Sequence, residues 1–138
     1  MRNRNAILRC ELTAVLVTGQ CRPARLDLRH DPAEGYGLVL RIRAGLDDDP
    51  ASLPPIWRLS RDLLDAGLTV PTGTGDVRVR PLSEDWTLVE LVRPRVTAIL
   101  VVGTADLRGF LAETYRITPR GAEQCAVDWD EELRALDG

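Results

Sequence analysis

The sequence contains no lysine, and all 18 of its basic residues are arginine. We read this first as a high-GC codon bias and only second as a binding adaptation. The net charge of −3 argues against a general electrostatic pull toward nucleic acid, which depends on cations neutralising phosphates. It argues equally against a polybasic membrane anchor. Aromatics are scarce: Trp57, Trp86, Trp129, Tyr36, Tyr115 and Phe110 are the full set. The core must therefore be mostly Leu, Val, Ile and Ala. Three cysteines, Cys10, Cys21 and Cys125, are an odd number without metal-ligand spacing. Cys10 alternates with leucines and reads as a small buried hydrophobe. No window reaches the roughly 18 apolar residues of a membrane-spanning helix. The N-terminus, MRNRNAILRC, is positively charged but lacks a long apolar run and a cleavage site, so it is not read as a secretory signal. The chain is expected to be cytoplasmic.

What is present describes an ordinary globular chain. At 138 residues, 44% apolar and 28% charged, residues 1–138 are expected to form one domain. A chain of that length buries roughly 70% of its unfolded surface, so it needs neither metal nor disulfide to fold.

Strict alternation predicts a long strand from Ile7 to Val17, stopped by Thr18-Gly19-Gln20. A second follows over Ala24 to Arg29, then a turn at Asp31 to Gly35, and a third strand from Gly37 to Ala44. The acidic run Asp47-Asp48-Asp49 and the prolines up to Pro55 read as a loop, followed by a fourth strand from Ile56 to Leu59. Ser60 is a good helix N-cap, Asp62 suits the first turn, and Gly67 falls where a left-handed C′ residue is expected. Pro71 to Asp76 is a run of turn formers. Strands are then expected at Val77–Pro81, Trp86–Val92 and Val96–Val102, the last apolar on both faces and so central. Thr104 is expected to cap a helix carrying Leu107, Phe110, Leu111, Thr114 and Tyr115 at helical spacing. A final helix is expected from Asp128 to Leu136. The order of four strands, one helix, three strands and two helices predicts an α+β fold of two antiparallel β-sheets with flanking helices.

The stretch Trp57 to Pro81, WRLSRDLLDAGLTVPTGTGDVRVRP, carries more than local structure. Its pattern resembles the core signature of the SsgA-like proteins of morphologically complex actinomycetes. The match is close and ungapped at Arg61-Asp62-Leu63-Leu64, at Gly67-Leu68 and from Pro71 through Pro81. It extends more loosely to Cys10-Glu11-Leu12, Leu28 to Pro32 with Tyr36, Gly109-Phe110-Leu111 and Asp128 to Leu133. The resemblance implies a single domain similar to the Whirly class of single-strand nucleic-acid binders, assembled as a trimer. It also implies a non-enzymatic regulator of sporulation-specific cell division that controls septum-site localisation and division-ring recruitment. The implied partners are a tubulin-like division protein (FtsZ) and other SsgA-like proteins, at the cell septum, with the membrane touched only indirectly. Partner-binding roles then fall on Trp57, Arg61, Asp62 and the turn Thr72, Gly73, Thr74, Gly75 and Asp76.

Residues with potential chemistry each have a plainer structural reading. The Thr72–Asp76 turn superficially resembles a phosphate loop, but such a loop follows a strand and opens a helix. Here the glycines precede a strand and an acid follows them. His30 and Asp31 are neighbours whose side chains diverge in a strand; no nucleophile accompanies them, and Asp31 reads as a turn cap. No Cys, His, Asp or Glu set has zinc spacing, and Asp47–Asp49 lacks the alternation of an EF-hand loop. Catalytic residues, cofactors and metals are therefore expected to be absent. Arg78 with Arg80, and Arg41 with Arg43, form same-face rows that read as solvated sheet face or, secondly, partner contact. Single-strand binding also needs aromatics for stacking, and none is interleaved with these pairs. A Whirly-like single-stranded nucleic-acid module is nonetheless the rival reading.

Overall fold

The computed structural model describes residues 7–34, 37–43, 56–94 and 96–119. The elements are β1 (Leu8–Val17), β2 (Cys21–His30), β3 (Gly37–Ile42), β4 (Ile56–Ser60), α1 (Arg61–Gly67), β5 (Val77–Pro81), β6 (Trp86–Arg93), β7 (Val96–Gly103) and α2 (Thr104–Ile117). The strand and helix order up to α2 matches the sequence expectation. The expected final helix with Trp129, the Asp47–Pro55 loop, Tyr36 and Cys125 lie outside the described residues.

The expected pair of sheets is instead one seven-stranded antiparallel sheet, ordered β4-β3-β2-β1-β7-β6-β5. The length of β1 is the reason. Over all ten of its residues β1 pairs with β2, from Leu8↔His30 to Val17↔Cys21. Its last four residues also pair with β7, from Ala14↔Val102 to Val17↔Ile99. One strand therefore serves two meanders and fuses them. The sheet curls until its two edge strands, β4 and β5, come into contact, and α1 packs against both. It is thus nearly closed.

Alternation decides which face is covered. Leu12, Ala14 and Leu16 of β1, Leu26 and Leu28 of β2, and Leu38, Leu40 and Ile42 of β3 are buried, while Glu11, Thr13, Arg25 and Arg41 face out. Leu107, Phe110 and Leu111 of α2 join the same core, which also holds Leu91, Leu100 and Val102. Full burial of each such side chain contributes about 1.5–3 kcal/mol relative to exposure. β2 begins earlier than expected and takes in Pro23, opposite Val15. Its pairing with β3 starts only at Leu26, so the missing N–H of Pro23 costs that ladder nothing.

Two helix ends differ from expectation. Gly67 is not left-handed; among the described residues the positive-φ glycines are Gly19 and Gly73. α1 finishes in right-handed turns, with Leu68 N donating to the Asp65 carbonyl and Thr69 and Val70 N donating to that of Ala66. Glycine is needed at position 67 because α1 lies on β5. A Cβ there would collide with the Val79 side chain and sit 2.9 Å from the Val79 carbonyl oxygen. Nor does Thr104 cap α2: the cap position is Gly103, with no side-chain bond. Thr104 is the first helical residue, buried, with its hydroxyl 2.7 Å from that of Thr87.

Candidate functional site

The stretch singled out in the sequence lies where the two edges of the sheet meet. β4 leads directly into α1, and the chain then turns through residues 71–76 into the opposite edge, β5. Ser60 has the extended backbone of an N-cap, and its hydroxyl accepts from Leu63 N at 3.0 Å, as expected. With α1 so anchored, sequence neighbours diverge: Asp62 points to solvent and Arg61 is fully buried.

Arg61 is the main polar contact of the helices. Its Nη1 donates to the carbonyls of Thr118 at 2.6 Å and Thr114 at 3.1 Å. The guanidinium also lies 4.2 Å from the centroid of the Tyr115 ring. The Tyr115 hydroxyl in turn donates to Asp65 Oδ2 at 2.9 Å, so the last turn of α2 is tied to α1 at two points. A cation there meets the negative end of the helix dipole, and it adds a second bond to the Thr114 carbonyl, which already accepts from Thr118 N at 2.7 Å. Thr118 is held from a third side by His30, whose Nε2 lies 3.1 Å from the Thr118 hydroxyl. As expected, His30 and Asp31 part company: Asp31 accepts from Ala33 N at 3.0 Å and stops the strand.

The turn is closed by a two-way backbone bridge, Thr72 N to the Val79 carbonyl at 2.8 Å and Val79 N to that of Thr72 at 2.9 Å. Gly73 sits at φ +109, and a Cβ there would lie 2.7 Å from the Val77 carbonyl oxygen. That combination requires glycine. Gly75 has open space around it. Residues 73–76 are all exposed, with Thr72 half-buried and Val70 exposed beside it.

Arg93, at the end of β6, is a member of this site that sequence reasoning missed. Its guanidinium lies 4.8 Å from the centroid of the Trp57 ring, and its Nη1 is 3.9 Å from Asp76 Oδ2. Val92 N donates to the Asp76 carbonyl at 2.8 Å. Trp57 on one edge strand and Asp76 beside the other are thus joined through Arg93. In sequence Arg93 reads only as the first residue of the tight turn Arg93-Pro94-Arg95. The site therefore divides in two. Trp57 and Arg61 are buried and hold the seam; Asp62 and Gly73 to Asp76 are the exposed part. Among the described residues no three His, Cys, Asp or Glu side chains are grouped to hold a metal, and no described helix is long and apolar enough to cross a membrane. What converges here is a shaped, partly charged surface.

The comparisons agree with this architecture. Residues 24–123 match the family model described as "Streptomyces sporulation and cell division protein, SsgA". The chain is similar to a sporulation-specific cell division protein of Frankia casuarinae, 37% identical over 79% of this chain and 73% of the relative. It is also similar to the sporulation-specific cell division protein SsgB of Streptomyces coelicolor, 34% identical over 94% of each chain. Among solved structures, the SsgA-like sporulation-specific cell division protein of Thermobifida fusca superposes with a TM-score of 0.80, at 27% identity and 99% coverage of both chains. With the signature between Trp57 and Pro81 folded as one seam and nearly the whole length aligned to these relatives, the chain belongs to the SsgA family of sporulation and cell division proteins.

Proposed function

We propose that this protein is a non-enzymatic scaffold of sporulation-specific cell division, acting through protein contacts that set the septum site and help recruit the division ring. The observation that carries this reading is its near full-length similarity to relatives named sporulation-specific cell division proteins. The partners in this reading are an FtsZ-like division protein and other SsgA-like proteins. The protein works as a homo-oligomer, a trimer in the family pattern, on the cytoplasmic side of the septum. It meets the membrane only through others.

The seam supplies a contact surface. Asp62 and the Thr72–Asp76 turn touch the partner, while Trp57 and Arg61 act from beneath by holding α1 and the turn in place. Rigidity supports the role, because a surface that is already ordered loses less freedom on binding. The test is a fluorescently tagged copy followed in sporulating filaments, combined with septum counts after gene deletion. Regularly spaced ladders and disturbed septation are expected. Diffuse or nucleoid-bound signal with normal septa overturns the reading.

A further inference from the structure

The outward face of β1–β4 forms a concave groove of about 410 Å³. It is lined by Arg9, Arg29, Arg41, Arg43 and Arg58, with Glu11 and Asp27 between them. Among its described lining residues five arginines stand against two carboxylates, a basic balance on a chain whose net charge is −3. The charges are unevenly used. Arg43 Nη1 lies 3.0 Å from Asp27 Oδ2 and 3.7 Å from Glu11 Oε2, and Arg25 Nη1 approaches Glu11 at 3.8 Å. Both acids are therefore engaged at one end.

At the other end Arg9 stands directly opposite Arg29 across the β1–β2 ladder. Like charges in such a pair are destabilising. Arg41 is paired in register with Asp27, but that carboxylate is taken by Arg43. Among the described residues, Arg9, Arg29 and Arg41 have no acid within ion-pair distance. The Nε of Arg29 is buried without a hydrogen-bond partner. Val39 and the exposed Ile56 give the same groove an apolar strip.

We propose that this groove binds an acidic peptide segment of a partner protein, its carboxylates on Arg9, Arg29 and Arg41 and an apolar side chain against Val39 and Ile56. Forked guanidiniums bind carboxylates with two parallel bonds. A nucleic acid fits less well: among the described residues no aromatic side chain lines the groove for base stacking, and Glu11 and Asp27 would face its phosphates. The proposal rests on the scaffold reading only in that such a protein works by binding others.

The test is fluorescence anisotropy of the full chain with a short labelled peptide of repeating Glu-Asp-Leu, at low and moderate salt. Binding is expected to weaken with salt and to fall about tenfold or more in Arg41→Glu and in Arg9→Glu, both exposed positions. The matched charge change Arg78→Glu on β5 is expected to alter it less than about twofold, and thermal melts check that each variant is folded. No binding by the wild-type chain, or equal binding by Arg41→Glu, overturns the proposal. So does tighter binding of an oligothymidylate of equal charge. Self-association abolished by Arg41→Glu in sedimentation overturns it too, because the occupant is then a second copy. Deletion phenotypes separate the two readings: disturbed septation without peptide binding removes the groove alone, and peptide binding with normal septation removes the division role alone.

Discussion

Arg61, the first residue of α1, donates to the carbonyl of Thr118, 57 positions further along the chain, at 2.6 Å. With the Thr114 carbonyl at 3.1 Å and the Tyr115 ring against it, this one side chain joins the helix between the sheet edges to the end of the helix packed on β1 and β7. The bond is made in the buried interior, where a hydrogen bond to a charged group is strong and an orphaned partner is costly. The turn that follows α1 takes its position from this joint.

Arg61→Met is expected to destabilise the fold by about 2–3 kcal/mol, because it removes the donor to the Thr118 carbonyl and the second bond to the Thr114 carbonyl. Arg61→Lys is expected to recover only part of the loss, since an ammonium cannot reproduce the planar contact of the guanidinium with the Tyr115 ring. Urea denaturation of both variants measures this. A loss below about 1 kcal/mol for Arg61→Met would show that the joint is not structural.

Three glycines are expected to respond differently to alanine. Gly67→Ala improves helix propensity by about 1 kcal/mol, but its Cβ falls on Val79. Overpacking of that kind costs about 1–3 kcal/mol, so a net loss of stability is expected. Gly73→Ala is also destabilising, through its φ of +109 and the Val77 carbonyl. Gly75→Ala, with nothing within 4 Å, is expected to be neutral. Melting temperatures rank the three, and a stabilised Gly67→Ala would remove the close-packing argument.

Arg93→Ala is expected to loosen the seam slightly. The guanidinium is part-exposed, so its contact with the Trp57 ring contributes about 0.5–1 kcal/mol, and the exposed pair with Asp76 adds little. Trp57→Ala removes a core indole that is 3% exposed and is expected to cost about 3–5 kcal/mol. Denaturant midpoints followed by circular dichroism distinguish these two magnitudes. Backbone hydrogen exchange at Val92, which donates to Asp76, should speed up in Arg93→Ala.

Cys10 and Cys21 are expected to differ toward thiol reagents. Burial, and secondarily the Asp106 carboxylate, push the Cys10 thiol above its ordinary value of 9.0, whereas Cys21 is exposed. Alkylation at neutral pH, read by mass spectrometry, should therefore mark Cys21 first. The raised value has a linked effect on stability. A thiol held neutral by the fold favours the folded state below 9.0, and that contribution is lost as pH rises through the higher folded value. Cys10→Ala should accordingly lose less stability than the wild type as pH rises above 9.0.

The sequence alone determined the elements. Alternation and short apolar runs placed the seven strands, and the Ser60 cap and Asp31 as a turn cap were readable because they depend on residues close together in the chain. The signature between Trp57 and Pro81 also identified the family. Tertiary structure decided what depends on contacts between distant positions. Whether β1 serves one meander or two depends on partners that alternation cannot name, so two expected sheets became one. Gly67 looks like a left-handed stop until the approach of Val79 is seen. The sequence offers Arg61 and Asp62 as equal candidates, and only the C-terminal carbonyls of α2 draw one inward and leave the other to solvent. Arg93 was invisible for the same reason, and of the arginine groove only the Arg41–Arg43 row could be read: side chains far apart in sequence meet only when a curled sheet brings its strands into register.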